Sequence, residues 1–167
     1  GATQGGHHRM GGGARGAVGD AMARGATTFA AASAGDVFLS LGGVSEVGAV
    51  GATTGVSSSG GSVEITSASL LTVSENISIA TDGESISLDL GDLAIDFGGS
   101  AEITTGVGAN RTIAITGGGG LVSLGTAVGG LELTSAELAQ LTANTLRFGD
   151  ATTTQLSIGT VASADFG

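Results

Sequence analysis

Short runs of alternating apolar and polar residues dominate this chain. Val37–Leu41 is the first, stopped by Gly42-Gly43. Val63–Thr66, Leu70–Val73 and Ile77–Ile79 follow, and Asp82-Gly83 then supplies a turn dipeptide. Ile86–Leu90 and Leu93–Phe97 alternate cleanly on either side of Gly91-Asp92. Glu102–Thr104, Thr112–Thr116 and Leu121–Leu124 continue the series, with four glycines at 117–120 before the last of these. Period-two alternation over three to five residues is the signature of a half-buried strand. Residues 44–61 hold only scattered valines in a Gly/Ser/Thr background.

The stretch 131–161 breaks the rhythm once. Thr134 lies three residues before Glu137, the spacing of a capping box. The threonine hydroxyl can take the Glu137 N–H, and the carboxylate can reach back to the Thr134 N–H. Leu138 and Leu141 then share one face of a helix of about two turns, near 135–142. So short a helix is unstable alone. Its leucines must dock on an apolar surface supplied by the flanking alternators Leu131/Leu133, Leu146/Phe148 and Leu156/Ile158.

Two architectures accommodate about a dozen short strands joined by Gly-rich corners: an antiparallel sandwich and a parallel β-helix. The strands are short for a sandwich. The apolar positions are Ile, Leu and Val with few aromatics, which suits stacked aliphatic columns, and the corners vary in kind. Segment starts at Asp36, Ser62, Ser85 and Arg111 recur every roughly 20–26 residues, within the solenoid range. The expected fold is therefore all-β, a right-handed parallel β-helix or β-solenoid over 36–167 with one short helix. Such a coil leaves strand edges at its ends that invite pairing with another chain. Residues 1–35 are expected to form a separate Gly/Ala-rich leader or assembly segment, with a weak helix at most over 21–34.

Composition narrows the chemistry. The 33 glycines come without proline, and without the three-residue period of collagen. There is no Cys, so neither disulfides nor thiolate chemistry is available. The net charge is −10. Residues 1–35 carry Arg9, Arg15 and Arg24 against Asp20, while the remainder carries two arginines against fourteen acids. So acidic a surface repels phosphates and anionic membranes, which argues against nucleic-acid binding. No apolar run reaches the ~18 residues of a membrane helix. The chain starts at Gly1 with no signal peptide in view, as a processed chain or an excised piece would.

Candidate sites weigh against catalysis. His7 and His8 are adjacent, so in an extended chain they point apart, and no acid lies within ten residues of them. Asp82, Glu84, Asp89, Asp92 and Asp96 cluster, and paired carboxylates can cleave glycosides. No Trp, Tyr or Lys accompanies them, and Asp89 and Asp96 alternate with apolar neighbours as a solvated row does. An alternative reading of the Asp82–Glu84 turn is weak Ca²⁺ binding, against which stands the lack of the calcium nonapeptide repeat. Gly117–Gly120 lacks the Lys-Ser/Thr of a phosphate loop. Thr152–Thr154 does not recur at the spacing an ice-binding face needs, and Asn76-Ile-Ser78 and Asn110-Arg-Thr112 match the short glycosylation pattern. No catalytic, cofactor-binding or metal-binding residue is expected.

The segment LTSAELAQLTANTLRFGDATTTQLSIGT resembles one that recurs in large secreted β-helical proteins of the filamentous haemagglutinin-like, two-partner-secreted adhesin family. The resemblance covers about thirty residues closely and about a hundred more only in texture. It implies a non-catalytic structural segment of a bacterial surface fibre or adhesin, extracellular, which holds a distal region away from the cell. The family's amino-terminal secretion domain has no counterpart here. Its expected partners are copies of itself, end to end or side by side, and a host or neighbouring cell surface. Two alternatives remain: a self-polymerising filament subunit whose leader docks on the next copy, and a β-helix polysaccharide lyase or hydrolase.

Overall fold

The computed structural model describes residues 27–82, 84–96, 100–106, 110–125 and 130–161. The expected leader lies outside the described residues over 1–26, as do His7 and His8. Where the described chain begins, it is already in strands. These are β1 (Thr27–Phe29) and β2 (Ala31–Ser33), inside the segment read as leader or weak helix. The reason is tertiary: Thr27–Phe29 pairs parallel to Ser45–Val47, and Ala31–Ser33 to Val56–Ser58. Ladder bonds from neighbours override the helix preference of alanine.

The chain continues through β3 (Val37–Leu41), β4 (Ser45–Val47), β5 (Ala49–Val50), β6 (Thr53–Thr54) and β7 (Val56–Ser58). Then come β8 (Val63–Val73), β9 (Ser78–Thr81), β10 (Ile86–Ile95), β11 (Glu102–Thr104) and β12 (Thr112–Gly117). A 3₁₀ turn at Gly118–Gly120 leads into β13 (Leu121–Leu124), β14 (Leu131–Leu133), α1 (Ser135–Leu138), β15 (Leu141–Thr142), β16 (Thr145–Phe148) and β17 (Gln155–Ile158). Among the described residues only β5 and β6 pair antiparallel; every other ladder is parallel. The fold is all-β with parallel sheets.

Three parallel sheets share one core. The largest runs β1-β4-β8-β10-β12-β16, with β3 also on β8; the second runs β15-β11-β9-β7-β2; the third runs β14-β13-β17. Register stacks like on like. Val37, Val63, Ile86, Ile113 and Leu146 form one inward column, and Leu39, Ile65, Leu88, Ile115 and Phe148 form the next. In the second sheet Val56, Ile79, Ile103 and Leu141 do the same. All these residues belong to, or pack against, a single apolar cluster. Each fully buried aliphatic contributes about 1.5–3 kcal/mol. The expected starts at Asp36, Ser62, Ser85 and Arg111 align at one corner, where Val37 N–H donates to Ser62 O (2.8 Å), Val63 N–H to Ser85 O (3.1 Å) and Thr145 N–H to Arg111 O (3.0 Å).

Two pairs of expected strands fuse. Val63–Thr66 and Leu70–Val73 are one strand, and Ile86–Leu90 joins the expected Leu93–Phe97 in another that ends at Ile95, Phe97 lying outside the described residues. Gly91 does not break β10 because it fills a bulge, where the register shifts between Leu90 and Asp92. A Cβ there would sit 2.5 Å from Ala68 O, so only glycine lets β8 and β10 bend together.

The expected helix near 135–142 is one turn, Ser135–Leu138. Its capping box forms as the spacing requires, but Leu141 leaves the helix to pair with Ile103 in the second sheet. Ladder pairing wins over a second helical turn. Leu138 is fully buried in the common core, whereas Leu156 and Ile158, expected to support the helix, are 50% and 63% exposed. They follow the inward columns of Val122 and Leu124, but no described strand covers them.

Candidate functional site

The clustered acids do not converge on one chemistry. Asp82, Glu84, Asp89 and Asp96 are exposed, the last two as the alternation predicts. Asp89 is reached by Thr116 Oγ1 at 3.4 Å beside a groove of about 330 Å³ lined by Thr66, Ser67, Gly91 and Gly117. Asp92 behaves differently. Its Oδ1 accepts the N–H of Leu93 at 2.9 Å and of Glu132 at 3.1 Å, so this carboxylate is engaged in structure. No three His, Cys, Asp or Glu side chains come together as a metal site among the described residues.

The other motifs resolve into corners. Asn76 and Asn110 have φ of 60° and 66°, the left-handed region that asparagine tolerates best after glycine. Asn76 Oδ1 accepts from Ser100 N–H at 3.2 Å. Gly117 turns away from β12 with φ 115°, close over Leu90 O. Thr152 and Thr153 close a turn on Asp150: Oδ1 accepts from Thr152 N–H (2.7 Å) and Oγ1 (2.6 Å), while Asp150 N–H donates to Thr153 Oγ1 (2.9 Å). These bonds, the Thr152 hydroxyl first, hold the Asp150 carboxyl below its ordinary value. Thr154 Oγ1 donates to Gly120 O at 3.1 Å.

One column was invisible in the sequence because serine and threonine are everywhere in it. Ser33, Ser58 and Thr81 stack in register at the end of the second sheet, with Thr105 one residue beyond Thr104 in the next strand. Ser58, Thr81 and Thr105 are buried. Ser58 Oγ donates to Gly35 O and accepts from Gly61 N–H, both at 2.8 Å, and Thr81 Oγ1 donates to Gly61 O at 2.6 Å. The column thus satisfies the corner carbonyls and amides that would otherwise be buried unpaired. Outside it lies a shallow groove of about 460 Å³, walled by Ala32, Ser57, Ala80 and Asp82. Its lining is small side chains together with the Asp82 carboxylate. Arg111, on the neighbouring corner, donates to the carbonyls of Thr105 and Asp82.

Among the described residues, one end of the sheets carries exposed apolar side chains. β15, β16 and β17 each have a described partner on one side only. Leu156 and Ile158 extend buried columns into solvent there. A strand edge beside an apolar row makes a template for a further parallel strand. Among the described residues no helix is long and apolar enough to cross a membrane. No family model, curated protein or solved structure compared with the chain matches it.

Proposed function

We propose that this chain is a non-catalytic structural segment of a secreted bacterial surface fibre or adhesin, folded as a right-handed parallel β-solenoid. The observation that carries the reading is the run of parallel columns from Val37 to Leu146 and from Leu39 to Phe148, feeding one aliphatic core. Stacking of this kind builds length and stiffness without a cavity for chemistry. The resemblance of 133–160 to the haemagglutinin-like repeat points the same way, and an extracellular location belongs to the same proposal. Electron microscopy of the purified chain tests it. Discrete short particles one coil in cross-section are expected, and particles several coils wide would refute the reading.

A second reading has its own observation. The one-sided strands β15–β17, with Leu156 and Ile158 exposed, favour a self-polymerising subunit. All the strands in the three sheets run parallel, so a second copy adding its first strands to this end would continue each ladder head to tail, an arrangement that does not close. Concentration-dependent filaments in the same micrographs would select this reading, and discrete short rods at every concentration would select the first.

A further inference from the structure

We propose that β13, β14, α1 and β17 form one unit that opens and closes along its boundary with β10, and that Asp92 and Glu137 are the clasp. The order of strands in space is not their order in the chain. β14 follows β13 in sequence, yet it lies between β13 and β10. On the β13 side it makes a parallel ladder from Val122–Leu131 to Leu124–Leu133. On the β10 side no ladder pair joins it, and the first and third sheets are separate there. Among the described residues Asp92 and Glu137 reach across that boundary. Asp92 Oδ1 accepts Glu132 N–H at 3.1 Å, and Glu137 Oε1 accepts Ile95 N–H at 3.2 Å. Asp92 directly follows the bulge at Gly91, where the register shifts.

Among the described residues backbone ladders run within the unit and none joins β14 to β10. β13 pairs with β17 over four residues. Gly125 N–H donates to Leu133 O (2.7 Å), Gly159 N–H to Leu124 O (2.8 Å) and Ser135 Oγ to Thr160 O (3.0 Å). The chain passes between the unit and the main sheets at Gly118–Gly120, Ala139-Gln140 and Gly149-Asp150; Thr154 N–H ties the first and last by donating to Gly120 O at 2.7 Å, and at the second Gln140 O accepts Ile103 N–H at 3.0 Å. Between the second and the last, β15 and β16 stay with the main sheets. Val122, Leu124, Leu131, Leu133 and Leu138 close the unit onto the common core, so the open form is the minor one. Local opening follows such lines of sparse backbone bonding.

Native-state hydrogen exchange on the full chain, amide by amide at low denaturant, tests this. The amides of β13, β14 and β17 are expected to share one opening reaction, distinct from the rarer one that exposes Ile65 and Leu88. Asp92→Ala is expected to speed the first group about tenfold and to leave Ile65 and Leu88 unchanged. Glu137→Gln keeps the volume and one acceptor oxygen, so it serves where the alanine variant folds poorly, and it should speed the same group. A single opening common to all these amides, or equal acceleration of both groups by either variant, would overturn the proposal.

Discussion

The Glu137 carboxylate accepts the backbone N–H of Ile95, 42 residues earlier in the chain, at 3.2 Å. Its other oxygen accepts the N–H (2.8 Å) and hydroxyl (2.9 Å) of Thr134. One buried acid therefore closes a helix cap and accepts the N–H of a β10 residue. Glu137→Ala leaves both amides without this acceptor, and a loss of about 1–3 kcal/mol is expected in urea unfolding. Thr134→Ala should lose about 1 kcal/mol as a missing cap. Because the two residues bond each other, the double variant should lose less than the two single losses added together.

Ser58 is expected to matter although it is chemically bland. Ser58→Ala removes the donor to Gly35 O and the acceptor for Gly61 N–H at a buried corner. A loss of about 1–3 kcal/mol in thermal or urea unfolding follows from two stranded backbone groups. Ser57→Ala, on the outward face of the same strand, should change stability by less than about 0.5 kcal/mol.

Gly91→Ala tests the bulge. The new methyl would lie 2.5 Å from Ala68 O and 3.0 Å from Ser69 Cα, both backbone atoms that cannot rotate away. Overpacking of this kind costs about 1–3 kcal/mol. The variant should melt lower and show shifted amide resonances in β8 and β10.

The free strand end predicts a change in association without a change in folding. Leu156→Asp together with Ile158→Lys places charge on an exposed edge, so the monomer's melting temperature should barely move. If the chain assembles head to tail, sedimentation should show that assembly lost. Unchanged assembly would move the interface elsewhere.

Asp150 predicts a pH effect of known sign. Its carboxyl titrates below the ordinary value because the folded chain bonds the ionised form, so its contribution is present above the unfolded pKa and fades as pH falls through the folded one. Following the Asp150 carboxyl carbon by NMR should give a midpoint below that of a free aspartate. Thr152→Val, which removes the hydroxyl donor, should raise it.

Much of this was legible in the sequence where the interaction is short-ranged or periodic. Thr134 and Glu137 find each other because three residues of helix bring them together whatever lies around them. The alternation in Ile86–Leu90 gives the inward face of β10, and the corner residues mark where segments begin. Asp89 and Asp96 are exposed as their alternation predicts. Alternation tells which side of a strand is apolar, but not which strand lies beside it. Hence only the tertiary structure decided that β14 sits between β10 and β13, that Asp92 and Glu137 reach amides 40 and 42 residues away, and that Leu141 pairs in a sheet rather than extending the helix. The same holds for Leu156 and Ile158, whose pattern matches that of the buried Val122 and Leu124. Burial depends on what covers a residue, and that belongs to the arrangement of strands, not to the residue's own neighbours in the chain.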